Sequence, residues 1–168
     1  MNVPLTPIRF LRYAGEQFAG DVAIVCGDQR FTYAQFAERA ARLAGALRAE
    51  GARSGDRVAF LSTNCHRLLE AYYGVLEADC VLLPLNVRLA PPELSYVLND
   101  AGARFLFVEQ ALLPLAEAFH REVPGIERVY LLDGEPRADW LSPHTYDQLI
   151  ATAAPWHRDL MAVDENAL

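Results

Sequence analysis

The stretch from residue 58 to residue 108 reads VAFLSTNCHRLLEAYYGVLEADCVLLPLNVRLAPPELSYVLNDAGARFLFV. It contains three short apolar runs, and a segment with helical periodicity separates each run from the next. A fourth apolar run follows at residues 129–132. The runs begin at residues 58, 81, 105 and 129, so successive starts lie 23, 24 and 24 residues apart. This spacing fits one strand, one helix and two loops, which predicts repeated β–α units.

The four runs are apolar throughout and do not alternate with polar residues. Continuous apolar strands are typical of a parallel sheet that is covered by helices on both faces. Right-handed crossovers then give a doubly wound layer. The predicted fold class is therefore α/β with a flavodoxin-like parallel sheet. Upstream, the runs at residues 22–26 and 30–33 flank a Gly-Asp turn and predict an additional N-terminal β-hairpin.

The clearest predicted helix follows this hairpin. Thr32 and Gln35 have the spacing of a capping box, and Phe31 and Phe36 have that of a hydrophobic staple. Gly51 occupies the position of a left-handed C-terminal cap. Between these ends the apolar residues recur on one helix face. That face consists of Phe36, Ala40, Leu43, Ala44 and Leu47.

Two further predictions concern apolar side chains. Ile8, Leu11 and Phe18 predict a short helix over residues 7–19 that packs its apolar side on the rest. Several aromatic residues have helical or strand spacing, so we assign them to the core rather than to an acyl-binding pocket. These are Tyr72, Tyr73, Phe105 and Phe107.

Composition excludes some classes of function. The formal net charge is −7 and the pI is near 5.0, so an acidic surface disfavours nucleic-acid binding. The cysteines Cys26, Cys65 and Cys80 are odd in number and lack CxxC spacing, which argues against a disulfide framework and a zinc site. No run approaches the roughly 20 apolar residues of a membrane span. We therefore expect a cytoplasmic protein without a transmembrane segment.

The sequence contains none of the common catalytic motifs. The chain lacks GxxxxGK[ST], GxGxxG and GxSxG, and its four histidines are too far apart in sequence for HExxH. No cluster has the spacing of metal ligands. The motifs alone therefore identify no catalytic residue and no metal site.

Three stretches nevertheless form a recognisable series. Residues 31–33 and the helix ending at Gly51 are followed by SGDRVA at residues 54–59. Residues 64–76 lead to PLNVRL at residues 84–89, and residues 92–104 read PELSYVLNDAGAR. In order and spacing they resemble the N-terminal region of the adenylate-forming (AMP-binding) superfamily, and PLNVRL resembles its acyl-CoA synthetases most.

The resemblance implies an ATP-dependent acid–CoA ligase. In such enzymes a carboxylate attacks the α-phosphate of ATP in the presence of Mg²⁺, and the thiol of CoA then displaces AMP from the acyl-adenylate. A fatty or aromatic acid is the expected substrate. The family's phosphate loop, its metal and nucleotide segments and its C-terminal lysine lie downstream of the matching region. The resemblance thus implies that this chain contributes no catalytic residue and, alone, is inactive and binds no cofactor.

One side chain is a candidate ligand contact. In some relatives the arginine of the PLNVRL pattern approaches the nucleotide phosphate of CoA, which implies this role for Arg88. Arg88 follows a predicted parallel strand, where ligand sites of α/β folds gather, and a guanidinium suits a phosphate. The structural alternative is that Arg88 caps a loop or pairs with Glu93. Asn86 is a weaker candidate and is better explained as a turn former.

Two positions depart from the family pattern. Asp79 replaces a glycine at a helix end, so it is expected to adopt the left-handed conformation, which Asp tolerates better than most residues. Ala90 replaces a Thr or Ser helix cap, although Pro91 still suits the first helical turn.

We predict one N-terminal subdomain over residues 1–168, with a compact α/β part at residues 20–152. Residues 153–168 are the expected connector into a catalytic region beyond the chain, and residues 164–168 resemble the approach to the phosphate loop. An exposed surface where further chain belongs predicts a homo-oligomer. The alternative function is a non-catalytic α/β module that binds a nucleotide or a protein partner.

Overall fold

The computed structural model describes residues 5–163, so the predicted approach to the phosphate loop at residues 164–168 lies outside the described residues. The chain forms helices and strands in near alternation. In order they are α1 (Pro7–Gln17), β1 (Val22–Cys26), β2 (Gln29–Thr32), α2 (Tyr33–Ala49), β3 (Arg57–Leu61), α3 (His66–Glu77), β4 (Val81–Pro84), α4 (Pro91–Ala101), β5 (Ala103–Val108), α5 (Leu113–Glu117), β6 (Arg128–Leu131) and α6 (Tyr146–Thr152). Short 3₁₀ turns cover Gln110–Leu112, His120–Glu122 and Leu160–Ala162.

The four apolar runs form one parallel sheet with the strand order β4-β3-β5-β6. The first strand of the series therefore lies between the second and the third, which is the flavodoxin-like order. Strands β1 and β2 pair antiparallel in a separate hairpin, with Cys26 opposite Gln29. The predicted fold class, including the extra hairpin, is confirmed.

Both faces of the sheet are buried, and alternate strand residues belong to different cores. One core joins Val58, Phe60, Phe105, Phe107 and Tyr130 to α2, α3 and α6. The other core joins Ala59, Leu61, Leu106, Val108 and Leu131 to α4 and α5. In the first core, Phe107 stacks between Phe60 and Tyr130, with ring centroids 4.6 and 5.1 Å away. The absence of alternation in the sequence is thus explained by helices on both sides of the sheet.

Helix α2 has the predicted ends. Thr32 Oγ1 accepts from the Gln35 backbone N–H, and Gln35 Oε1 accepts from the Thr32 N–H at 2.9 Å. At the other end Gly51 has φ = +87°, and the Ala52 N–H donates to the Leu47 carbonyl. The whole predicted apolar face of α2 is buried. The expected left-handed conformation of Asp79 is also present, with φ = +64°.

The predicted N-terminal helix is present as α1 and buries Ile8 and Leu11, but the assignments of Phe18 and Tyr72 to buried positions are wrong. Helix α1 ends at Gln17, and Phe18 is 48% exposed because the chain turns there toward the hairpin. Phe18 instead contacts the rings of Tyr13 and Tyr33. Tyr72 is 46% exposed because it lies on the side of α3 that faces away from the sheet, whereas Tyr73 packs edge-on against Phe36. The core assignment of Phe105 and Phe107 is confirmed.

A buried ionic network fixes α2, α3 and α6 relative to one another. The fully buried Glu70 accepts from Arg39 Nε at 2.6 Å and from the Tyr146 hydroxyl at 2.7 Å. Arg39 also donates to Asp147 at 2.7 Å, and Arg67 donates to the second oxygen of Asp147 at 2.6 Å. Each of the three helices contributes at least one charged partner to this network.

Burial and the neighbouring charges determine the pKa values of the groups in this network. Burial raises the pKa of the Glu70 carboxyl, and the hydrogen bond and charge of Arg39 oppose this shift only in part. Burial, together with the adjacent Glu70, also raises the pKa of the Tyr146 hydroxyl. Burial opposes ionisation of Asp147 as well, but the hydrogen bonds from Arg39 and Arg67 outweigh it and lower the pKa of this carboxyl.

Residues 153–163 lie across α2 and α3. The Trp156 N–H donates to the Ala41 carbonyl at 2.9 Å, and Arg42 donates to the Ala153 carbonyl at 2.9 Å. A Cβ at Gly45 would lie 1.9 Å from the carbonyl oxygen of Ala154, so only glycine fits beneath this segment. The predicted division into a compact part and a connector stays a prediction.

The same segment is held at a second point by Glu77, whose side chain is only 5% exposed. Glu77 accepts from the Arg12 guanidinium, from His157 Nδ1 at 3.2 Å and from the Arg158 backbone N–H at 3.3 Å. Arg158 also pairs with Asp79 at 2.5 Å. The C-terminal end of α3 therefore joins α1 to the residues that follow α6.

The Glu70 network gives a first prediction. Tyr146→Phe removes the hydroxyl and leaves one oxygen of a buried carboxylate without its donor, which should lower the free energy of unfolding by about 1–3 kcal/mol. For a chain of this size that corresponds to a fall in Tm of about 3–10 °C in a thermal unfolding experiment. Tyr13→Phe is the matched control, because Tyr13 is 60% exposed, and it should change stability by less than about 0.5 kcal/mol. Equal Tm values for the two variants would contradict this role of the network.

Candidate functional site

The predicted site residues lie in the loop that follows β4, which is an edge strand of the sheet. Leu85 is buried and donates its N–H to the Phe60 carbonyl at 2.8 Å, which holds the start of the loop to β3. Asn86 Oδ1 accepts from the Arg88 N–H at 3.0 Å, and the Asn86 carbonyl accepts from the Leu89 N–H at 3.1 Å. Asn86 therefore forms the turn that presents Arg88, and a ligand contact by Asn86 stays a prediction.

The Arg88 side chain is exposed, and within residues 5–163 its guanidinium has no hydrogen bond or ion pair. The alternative of a pair with Glu93 does not occur, because Glu93 Oε2 accepts from the Ala90 N–H at 2.8 Å. This bond also explains how α4 begins without a capping side chain at Ala90. One half of a capping box is kept, and Pro91 supplies the first helical residue as expected.

All 15 Lys or Arg residues of the chain are arginines. Arg88, whose guanidinium has no partner among the described residues, differs in this from most of the other 14. Arg57, for example, donates to the carbonyls of Ala101 and Gly102 at the end of α4. Arg104 pairs with Asp56 and, at 2.7 Å, with Glu127. These arginines hold helix ends and loops in place, whereas Arg88 is available to an anion from solution.

The usual ligand crevice of this fold is occupied by the chain itself. The order of the strands reverses between β3 and β5, and ligands of open α/β sheets bind at the carboxyl ends of the strands at such a point. Here Glu109, directly after β5, accepts from the Thr63 N–H and hydroxyl at 2.7 Å each and from the Ser62 hydroxyl at 3.4 Å. A carboxylate at this position repels phosphate groups. Glu109 was missed by sequence reasoning, and its only signal is an acid directly after an apolar strand.

A second feature that the sequence did not reveal is His66, the first residue of α3. His66 is 4% exposed, its ring stacks on Phe31 with centroids 5.0 Å apart, and its Nδ1 has no partner within the described part of the chain. Burial lowers the pKa of His66 to about 4, and the neighbouring Arg67 and Arg39 act in the same direction. The imidazole is therefore neutral in the folded protein near pH 7.

The cysteines and the possible metal-ligating side chains are the remaining candidates for a functional site. The three cysteines are free thiols, and burial, followed by the charge of Asp56, raises the pKa of Cys80 to about 11. In the described range no three His, Cys, Asp or Glu side chains form a group that could hold a metal ion. Across residues 5–163, none of the helices combines the length and the apolar character of a membrane span.

The chain is similar to known proteins of one family. The family model described as AMP-binding enzyme matches residues 11–163. A 4-hydroxybutyrate–CoA ligase of Metallosphaera sedula is 38% identical over 65% of this chain and 20% of its own length. A long-chain-fatty-acid–CoA ligase of Thermus thermophilus is 42% identical over 67% of this chain and 21% of its own length. The chain thus spans about a fifth of these curated relatives.

Solved structures show the same arrangement. An anthranilate CoA ligase, crystallised with anthranoyl-AMP, superimposes with a TM-score of 0.83 at 26% sequence identity. The superposition covers 94% of this chain and 31% of that structure.

The buried histidine predicts acid sensitivity. Because the folded pKa of His66 is about 4 and that of a free imidazole is about 6.5, the unfolded state binds the extra proton between these values. The contribution of His66 is therefore fully present above about pH 6.5 and is lost as the pH falls toward 4. The substitution His66→Phe keeps a ring beside Phe31 but removes the titrating group. Between about pH 6.5 and pH 4 we expect this variant to lose on the order of 2 kcal/mol less unfolding free energy than the parent protein.

The measurement is urea unfolding at several pH values between 4 and 7. His144→Phe replaces an exposed histidine and serves as the control, which should keep the pH dependence of the parent protein. If the unfolding free energies of the parent protein and of His66→Phe change equally with pH, the fold does not prevent protonation of His66.

Proposed function

Because the chain belongs to the AMP-binding enzyme family, we propose that it is the N-terminal part of an ATP-dependent acid–CoA ligase. The observation that carries this proposal is the family match over residues 11–163, in a chain whose similarity covers about one fifth of the CoA ligases named above. The reaction consumes a carboxylic acid, ATP and CoA, and it yields an acyl-CoA, AMP and pyrophosphate. A Mg²⁺ ion would accompany ATP, since neutralising charge on phosphate oxygens is central to phosphoryl chemistry.

The part played by these residues is that of a scaffold. The crevice where the strand order reverses is filled by Glu109, and the buried charges of Glu70 and Glu77 are already paired. We therefore assign the binding of triphosphate and metal to parts of the enzyme outside this chain and expect the chain alone to bind no cofactor tightly. The acid is a fatty or aromatic one in our proposal, since the similar proteins named above act on aliphatic and aromatic acids.

Within this scaffold we assign the nucleotide phosphate of CoA to Arg88. Three observations support the assignment: the side chain is exposed, it has no partner among the described residues, and a turn formed by Asn86 presents it at the carboxyl end of β4. A guanidinium offers a fork of donors that matches phosphate oxygens. The proposed setting is the cytoplasm, where the three free thiols stay reduced.

The test uses the protein expressed from the whole coding sequence that contains these residues. We expect acid-dependent release of pyrophosphate from ATP, followed by formation of the CoA thioester, while residues 1–168 alone should release none. Arg88→Ala should raise the KM for CoA about 5- to 20-fold, because a charge-assisted hydrogen bond is lost, and should leave pyrophosphate release unchanged.

Arg137→Ala is the control, because Arg137 is 83% exposed in the loop before α6, and it should leave both half-reactions unaffected. Pyrophosphate release by residues 1–168 alone would contradict the scaffold role. An unchanged KM for CoA in Arg88→Ala would contradict the assignment of Arg88, and absence of any acid activation by the whole protein would favour a non-catalytic module.

We further propose that the chain self-associates through an aromatic patch formed by Phe10 and Tyr13 on the outer side of α1 and by Phe18 directly after this helix. These side chains are 65%, 60% and 48% exposed, respectively, and such clusters mark interaction surfaces. Sedimentation velocity should show a dimer or larger species that Phe10→Ser shifts toward monomer. Tyr96→Ser, on the opposite side of the sheet and 69% exposed in the parent protein, should leave the distribution unchanged. A parent protein that stays monomeric at high concentration would rule out this association.

A further inference from the structure

A groove of about 330 Å³, here called the hairpin groove, lies between strand β1 and helix α3. The residues that line it are 24–26, 64–66, 68–69 and 72, and most of their side chains are apolar. Among these described residues none is Asp, Glu, Lys or Arg, so the wall carries no formal charge while His66 is neutral. The groove therefore suits a ligand with a large apolar part.

The polar end of the hairpin groove is the start of α3. The N-cap residue, Cys65, makes no side-chain hydrogen bond to the helix, and its carbonyl accepts from the Leu69 N–H. The N–H groups of His66, Arg67 and Leu68 have no acceptor in the part of the chain that the structure describes. Free N–H groups and the helix dipole together favour an anion at such a position.

The imidazole of His66 is a second, independent sign of a ligand. It is 4% exposed and belongs to the wall of the groove, and neither of its ring nitrogens has a hydrogen-bond partner among residues 5–163. A ligand that supplies this partner removes the cost of an unsatisfied buried group. Besides burial, the positive charges of Arg67 and Arg39 lower the pKa of this ring, against a smaller effect of Asp147. The ring thus lies in a positive potential, which favours an anion.

The rest of the hairpin groove is an apolar surface that runs along α3. Leu69 and Tyr72 follow Cys65 by about one and two helical turns, and Val25 of β1 completes the wall. These three side chains are 39%, 46% and 61% exposed, respectively. From residue 65 to residue 72 the helix rises roughly 10 Å, which suits a hydrocarbon chain of medium length. One polar end and one apolar side together match an amphiphile.

We propose that the hairpin groove binds a medium-chain monocarboxylate, with the carboxylate at the free N–H groups of α3 and the imidazole, and the hydrocarbon chain along Leu69, Tyr72 and Val25. A phosphate dianion fits less well, because Glu109, bonded to Thr63 two residues before the N-cap, repels a double charge more than a single one. The inference does not rest on the proposed ligase function, since no residue of the groove is assigned a part in that reaction.

The experiment is an NMR titration of the 168-residue chain with octanoate. We expect saturable binding with a Kd of about 1 mM. The ring signals of His66, identified by their absence from the spectrum of His66→Phe, should shift on binding. Octanol has the same chain without the charge and should bind about tenfold more weakly. Acetate keeps only the carboxylate and should give no saturable shift below about 100 mM.

Two substitutions separate the polar contacts from the apolar ones. Asn64→Asp places a negative charge at the start of α3, so it should raise the Kd of octanoate about tenfold but that of octanol less than about twofold. Leu69→Gln removes apolar surface and should raise the Kd of both ligands about fivefold. Both side chains are exposed, and an acid near a helix start is favourable, so the fold should persist. The dispersion of each NMR spectrum verifies this directly.

Two matched substitutions on other surfaces serve as controls. Gln17→Glu adds a negative charge at the exposed end of α1. Met161→Gln removes an exposed apolar side chain from the turn at Leu160–Ala162. Neither should change the Kd of octanoate, because neither residue belongs to the groove.

Several results would overturn the proposal. They are the lack of saturable binding at about 10 mM octanoate, octanol binding as tightly as octanoate, and His66 signals that stay unchanged at saturation. Equal Kd values for Leu69→Gln and Met161→Gln would likewise show that the hydrocarbon chain does not lie in the hairpin groove. None of these results bears on acid-dependent pyrophosphate release, which tests the ligase function separately.

Discussion

The structure depends on one constraint: neither face of the two central strands can be exposed to water. Val58, Phe60, Phe105 and Phe107 point to one side and Leu61, Leu106 and Val108 to the other, and each is at most 1% exposed. A hairpin between such strands would leave one face bare, whereas a helical crossover supplies a covering element with every connection. The alternation of strands and helices follows from this requirement. The edge strand β4, with Val81 at 50% exposure, is the place where the requirement is relaxed.

The same sheet determines which polar groups remain available. At the carboxyl ends of the central strands the polar groups of the chain bond to one another. Glu109 accepts hydrogen bonds there from Thr63 and Ser62. Beyond the edge strand β4 there is only a turn closed by Asn86, and the guanidinium that follows it has no internal partner among residues 5–163. The loops after the two central strands are thus used for folding, whereas the loop after β4 leaves its arginine open to a ligand.

Most of the fold could be predicted because its signals are local. Apolar runs, the Thr32–Gln35 capping box and the left-handed residue at Asp79 each depend on a few neighbouring residues. The Glu70 network could not be predicted, since its partners Arg39 and Tyr146 lie 31 and 76 residues away along the chain. For the candidate site, the sequence indicated where Arg88 lies relative to a strand. That its side chain is unpaired could not be predicted, because this depends on where Glu93 and every other acid come to lie.

The buried charges are better explained by the specificity of the arrangement than by stability. Replacing a buried ion pair with apolar residues of similar volume is often neutral or stabilising. Apolar burial, however, is non-directional, and it would allow helices to slide or rotate on the sheet. Helix α6 has only seven residues, too few to form stably alone, and Tyr146 and Asp147 tie it to α2 and α3. Because residues 153–163 leave directly from α6 and are held again at Glu77, this network also fixes the path along which the chain continues. The proposed catalytic groups lie elsewhere, so the role of this scaffold is to hold that path in one direction. Directional hydrogen bonds and ion pairs can do this, and apolar contacts cannot.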